Sequence, residues 1–359
     1  MSSMSSRAAR PRFTTVDNLD TRPAPGWATA MALEAQSAGE SVSTALAICE
    51  KFGADLPVPG YGQTAMRWKL LAIAGEANLT VARVLEAHTD ALAILNEAGQ
   101  TGQLPTADVA GWGVFAAEAP GQELSAASGP DGWTLTGTKP WCSLGGSLGR
   151  ALVTARVADT TEPDVRQLFA APLQHPTVRA EPAAVWVSRG LRTVTSGPVH
   201  FSATPATPIG APGWYLRRPG FAWGGIGVAA CWFGGALGLA ETLRRRVADR
   251  RDELSRLSLG SVEVALHMAA ATLSQAAQLV DDGAADGAAG VLLALRVRAA
   301  VAQAVELTLT QTAHTLGPAP LAFDEEHARR VADLEIYVRQ HHAERDLASL
   351  GQLLLTEPA

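Results

Sequence analysis

Cysteine is scarce in this chain, and what there is lies far apart. The 359 residues hold three, Cys49, Cys142 and Cys231. The number is odd and no Cys-x-x-Cys spacing occurs. That excludes a disulfide framework and a cysteine metal site, and it points to a reducing, cytoplasmic setting. Charge is also sparse, at 18% of residues, and no long basic run appears. A net charge of −6 and a pI near 5.8 argue against a nucleic-acid partner. The opening MSSMSSRAARPRF lacks an apolar h-region, so it does not read as a secretory signal. Residues 1–22 are expected to form a disordered tail. Repeats of solenoid period are absent as well.

What is abundant is apolar: 47% of residues, enough for a sizeable core in one large domain or two to three packed ones. Trp27–Gln36 and Glu40–Phe52 carry apolar residues at three- and four-residue spacing and read as helices. Asp55–Gly62 is a loop with two prolines. Thr64–Gly99 reads as a further helical stretch, and residues 100–108 as a connector. Residues 23–110 are thus expected to form an N-terminal helical domain.

From Gly111 the periods shorten. Trp133–Thr138, Ala151–Val157, Leu168–Pro172, Val185–Val187 and Val199–Phe201 read as strands, so residues 111–215 predict an antiparallel β-domain. Residues 216–359 return to long Ala/Leu helices, consistent with a four-helix bundle. The fold class is therefore α+β: helical, then β, then helical. Pro219–Ala240 has no charge and is long enough to span a bilayer, and no other segment looks comparable. Rich in glycine and set between charged amphipathic helices, it reads as a buried helix, so no membrane span is expected.

Two motifs imitate known sites. Gly145-Gly146-Ser147-Leu148-Gly149 fits the G-x-S-x-G nucleophile elbow, which needs a following helix; Arg150–Val157 reads as a strand. Gly225-Ile226-Gly227 imitates a dinucleotide loop but follows no strand. Small residues there suit close helix packing.

The stretch Gly132–Val157 carries the strongest signal. Its GWTLTGTKPWCS resembles the G-W-x-L-x-G-x-K-x-W-(I/C)-(T/S) segment of the acyl-CoA dehydrogenase family. Matching segments recur in family order on both sides, over roughly residues 70–355. Phe115-Ala116-Ala117-Glu118-Ala119-Pro120-Gly121 resembles F-A-L-T-E-P-G, with Glu118 at the Thr position. Gly190-Leu191-Arg192-Thr193 with Val199-His200-Phe201 resembles the segment that closes the β-domain. His88 falls near a buried structural His of the N-terminal helices.

The resemblance implies an all-α domain, a β-domain and a C-terminal four-helix bundle, with FAD between the last two. By the same resemblance Phe115, Ala117 and Glu118 would face the pyrimidine edge of the flavin. Trp141, Cys142 and Ser143 would line its ring, with the Ser143 hydroxyl donating to N5; for Trp141, plain core packing is the alternative. Arg251 or Arg256 would meet the pyrophosphate. His314 and Gly317 stand in the Q-x-x-G-G segment that reaches a neighbouring subunit's FAD, which implies a homodimer or homotetramer. The Glu123-Leu124-Ser125 tripeptide replaces the family's G-S-D, which puts a CoA ester in doubt. The substrate class is a small molecule, an acyl thioester or other, with an electron acceptor or oxygen as second partner.

The family's catalytic Glu is missing from both of its known positions. Near Val228 no acid lies between Arg218 and Glu241, and the second position is held by His341. If the helix there is continuous, Tyr337, His341, Glu344 and Ala348 share a face, and His341 with Glu344 forms a candidate acid–base pair. A solvated helix face is the alternative. Adjacent His341 and His342 point to different faces, so no metal is expected. A His here also resembles the flavin monooxygenase branch, where reduced flavin reacts with oxygen. The readings are thus an FAD-dependent oxidoreductase, a flavin-dependent monooxygenase, or a non-catalytic flavin-binding or structural homologue.

Overall fold

A computed structural model describes residues 13–100, 102, 104, 111–157, 165–250 and 252–356. The N-terminal helices are α1 (Gly26–Ser37), α2 (Val42–Phe52), α3 (Thr64–Ala77) and α4 (Leu79–Glu97). The expected single stretch over residues 64–99 is broken at Asn78. Its backbone is extended, and its side chain caps α4 by accepting from the N–H groups of Thr80 and Val81. The expected tail is contradicted over its second half. Thr14 bonds the Glu263 carboxylate through both backbone N–H and hydroxyl, and Leu19 is buried.

The β-domain comprises β1 (Trp112–Phe115), β2 (Leu124–Gly129), β3 (Gly132–Lys139), β4 (Arg150–Val157), β5 (Arg166–Pro172), β6 (Val178–Ala180) and β7 (Val199–Ile209). The order β1-β4-β2-β3-β7-β5 is joined by β4–β5 pairing, with β6 on β7. The sheet is mostly antiparallel, as expected, but β1 and β2 both run parallel to β4. The strand expected at Val185–Val187 is a 3-10 turn over Ala183–Val185 with both valines exposed, so the apolar run has no sheet partner. The residue after Gly149 does enter a strand, which removes the nucleophile elbow.

The C-terminal part holds α5 (Trp214–Arg217), α6 (Pro219–Val247), α7 (Glu253–Asp281), α8 (Gly287–Leu316), α9 (Ala319–Phe323), α10 (Glu325–Tyr337) and α11 (Glu344–Thr356). The Gly225-Ile226-Gly227 imitation lies inside α6 and opens no phosphate loop. Glycines of this helix do serve close packing, against α3. A Cβ at Gly234 would strike the Ala72 carbonyl, and one at Gly75 would strike that of Cys231. Among the described residues α6, α7 and α8 are all long and apolar enough to cross a membrane by length and composition, so Pro219–Ala240 has company. The most apolar window of α6 is 89% buried within the chain.

Candidate active site

The segment after β3 leaves the sheet at Lys139 and is stapled to residues 195–197. Cys142 N–H donates to the Gly197 carbonyl at 3.0 Å and Leu144 N–H to that of Thr195 at 2.7 Å. Trp141 and Leu144 adopt φ of 57° and 56°. This turn sends Cys142 inward and Trp141 outward. The indole is 60% exposed. An exposed indole on a non-glycine residue in the left-handed region is a costly arrangement for a residue with only a packing role. Burial pushes the Cys142 thiol up to about 12, and its Sγ donates to the Lys139 carbonyl at 3.2 Å, so it stays a thiol.

Ser143 is the half-buried member. Arg83, from α4, donates Nη2–H to its hydroxyl oxygen at 3.1 Å. The Ser196 hydroxyl lies 2.8 Å from the same oxygen and donates its own proton to the Val194 carbonyl at 3.1 Å. Arg83 also pairs with Glu86 at 3.0 Å, and the Tyr337 hydroxyl of α10 donates to the same Glu86 oxygen at 3.4 Å. Burial raises the Glu86 carboxyl against the pull of Arg83; burial also works to lower the Arg83 guanidinium, but Glu86, Tyr337 and Cys231 together hold it above its ordinary value. Tyr337 meets Trp232 edge-on at 6.3 Å, and Arg298 stacks 4.9 Å from the Trp232 ring centre. The β-domain, α4, the buried helix α6 and α10 therefore converge here. Sequence reasoning missed Arg83, Glu86, Ser196 and Arg298. The available signal, for Arg83 and Glu86, was two opposite charges three apart on a largely buried helix.

Glu118, expected at the pyrimidine edge, serves another group: it accepts from the buried Lys139 ammonium at 2.7 Å and lies 3.6 Å from Arg166. The Phe115 ring is core, and Ala117 is exposed beside it.

The expected catalytic face is contradicted. α10 tightens into a 3-10 turn at Val338–Gln340, His341 is extended, Ala343 has φ 50°, and α11 begins at Glu344. Tyr337, His341, Glu344 and Ala348 thus belong to no single helix face. The carboxylate near the histidines is Asp346, which accepts from His342 N–H at 3.0 Å and lies 3.8 Å from His341 Nε2. Glu344 is exposed. His341 is buried, and its Nε2 makes no hydrogen bond. Burial lowers its pKa, with Asp346 opposing. Among the described residues no cluster of three metal-ligating side chains occurs.

Of the residues expected at the adenosine end, Arg251 lies outside the described residues. Arg256 lines a cleft of about 390 Å³ with Arg244, Arg250, Ser255 and Leu259, and His314 and Gly317 are not among that cleft's lining. Arg250 donates to the Thr315 carbonyl at 2.9 Å, beside exposed His314 and the helix-ending Gly317 at φ 67°.

No protein-family model matches the chain, and neither does any curated protein. Solved structures do match. The dibenzothiophene monooxygenase TdsC from Paenibacillus sp. A11-2, in complex with FMN and indole, is 17% identical; the match covers 94% of this chain and 97% of that one, with a TM-score of 0.73. KijD3, in complex with FMN and a dTDP-linked keto sugar, is 15% identical over 96% and 98%, with a TM-score of 0.73. A glutaryl-CoA dehydrogenase from Mycobacterium smegmatis, in complex with FADH2, is 14% identical over 93% and 96%, with a TM-score of 0.73. The chain has the acyl-CoA dehydrogenase fold. The Ser143 hydroxyl, expected as a donor, directs its proton to Ser196 and offers an acceptor instead; beside the exposed indole it fits the edge and face of a flavin ring.

Proposed function

We propose that this chain is a flavin-dependent oxidoreductase that holds FAD between the β-domain and the helical bundle. One observation carries the reading: the outward Trp141 indole stands two residues from the Arg83-tethered Ser143 hydroxyl. Bound flavin would supply the two-electron chemistry. Ser143 would hold the ring edge, Trp141 would cover a face, and the arginine cleft at Arg250 and Arg256 would take the pyrophosphate. His341, neutral through burial, would move a proton where a dehydrogenase of this fold uses a Glu.

The missing carboxylate and the neutral buried His341 favour a second reading, a monooxygenase that uses reduced flavin and oxygen. The substrate is a small molecule. Exposed Leu254, Leu257, Val264 and Met268 run along α7 at helical spacing and support a homo-oligomer through that face. The three cysteines are buried free thiols, which supports a cytoplasmic setting.

The test is the visible spectrum of the purified protein, with the released chromophore identified by mass. Near-stoichiometric FAD supports the proposal. Uptake of reduced flavin only, with oxygen consumed when substrate is added, supports the monooxygenase. A protein that takes up neither form has the fold without this chemistry.

A further inference from the structure

The hydroxyl of Ser143 has one proton to give and two lone pairs to fill. Arg83 occupies one lone pair at 3.1 Å. The Ser196 proton is committed to the Val194 carbonyl, so the 2.8 Å contact between the two hydroxyls is filled by the Ser143 proton. The chain therefore has a direction: Arg83 to Ser143 to Ser196 to Val194. That spends the only Ser143 proton, and Arg83 fills one lone pair, so what the hydroxyl still offers a ligand is its second lone pair, which accepts.

The guanidinium itself is held from behind. Glu86 binds it at 3.0 Å, its charge lies over the Tyr337 ring at 6.0 Å, and both members of the ion pair are largely buried. A cation fixed in a low-dielectric setting acts strongly on nearby charge. Resting on the flavin reading above, we propose that Arg83 is a positioning residue that holds the Ser143 proton on Ser196, so that the free Ser143 lone pair would accept from the N5–H that only reduced flavin carries, which favours the reduced, more negative flavin over the oxidised form. The carboxylate of Glu86 orients Arg83 and leaves its second nitrogen for Ser143.

The experiment compares the affinities of oxidised and reduced flavin, with the midpoint potential of the bound flavin, in wild type and variants. Arg83→Gln alone would strand a buried carboxylate and risks the fold, so the main variant is R83Q/E86Q, with Arg83→Lys as the conservative one. R83Q/E86Q is expected to bind oxidised flavin with little change and reduced flavin about tenfold more weakly, which is about 30 mV lower for a two-electron couple. Arg83→Lys should restore part of that shift. Adding Ser143→Ala to R83Q/E86Q should lower the potential less than the separate effects combined, because the arginine acts through the serine. Equal loss of both flavin forms, or an unchanged potential, overturns the role of Arg83 while leaving the flavin reading intact. A wild type that binds no flavin overturns both.

Discussion

The backbone N–H of Leu191 donates to Oδ1 of Asp333 at 2.5 Å, tying a β-domain loop to α10. The approach is close: Leu191 has φ 46°, and a Cβ on Gly190 would collide with the Ala332 carbonyl. The Gly190–Thr193 motif segment thus meets α10 in space. Arg192 with Glu40, and Thr193 with the Glu40 carbonyl, extend the same clamp to the N-terminal helices.

Asp333 makes this clamp pH-sensitive. Burial pushes its carboxyl up to about 6 from 3.8, against the Leu191 N–H and Arg329. A carboxyl with a raised native pKa binds its proton more tightly in the folded chain. Its stabilising effect is therefore full below pH 3.8 and is lost as the pH rises to 6. The span allows at most about 3 kcal/mol. Asp333→Asn keeps an acceptor for Leu191 and should cancel this slope. Urea unfolding from pH 4 to 7 should show the variant gaining on wild type up to pH 6 and then holding level. A constant difference across that range would sink the argument.

Glu118 is expected to matter for stability more than for flavin. Lys139 is buried, with Glu118 at 2.7 Å and the Thr154 hydroxyl at 2.9 Å. Glu118→Gln leaves the ammonium without its carboxylate, and should cost about 1–2 kcal/mol, because Glu118 itself is half exposed. Pairing it with Lys139→Met should recover most of the loss, since an apolar side chain of similar volume needs no counter-ion. Denaturation midpoints of the single and double variants decide this. A double variant no better than Glu118→Gln would show the pair is not the cause.

The alternating strands were readable because one face of each packs on the core: Leu135, Val153 and Phe169 are buried, and each lies within an expected strand. The Ser143 turn was readable as a motif. The partners of Ser143 were not. Arg83 is 60 positions away, and Tyr337 is 251 from the Glu86 it bonds, so only tertiary packing joins them. The break at His341 was hidden for a different reason. No Gly or Pro marks it, and the left-handed residue is Ala343, a good helix former, so local propensity gives the opposite signal.

On the proposed reading the arginine cleft should discriminate FAD from FMN. FMN has no pyrophosphate, so Arg250 and Arg256 should matter only for the larger cofactor. Arg256→Ala should weaken FAD about tenfold and leave FMN unchanged. Arg250→Ala should do the same and also release the Thr315 carbonyl that it holds at 2.9 Å. Fluorescence titration with both flavins tests this. Equal effects on FAD and FMN, or none, would move the adenosine end elsewhere.

His341 and Glu344 were paired in sequence and are separated in structure, so their variants should behave differently. His341 is buried beside Asp346, while Glu344 starts α11 facing solvent. His341→Ala should slow turnover about a hundredfold, in the range of a lost general acid or base, with flavin titration unchanged. Glu344→Ala should leave the rate near wild type. Burial lowers the His341 pKa from 6.5, with Asp346 opposing. The neutral imidazole therefore persists to lower pH than in a free histidine, and the acid limb of the rate profile should fall below 6.5 and vanish in His341→Ala. If Glu344→Ala is the slow variant, or if the acid limb survives loss of the imidazole, the proton is handled by another group, and Glu86, buried behind Arg83 and bonded to Tyr337, becomes the residue to replace.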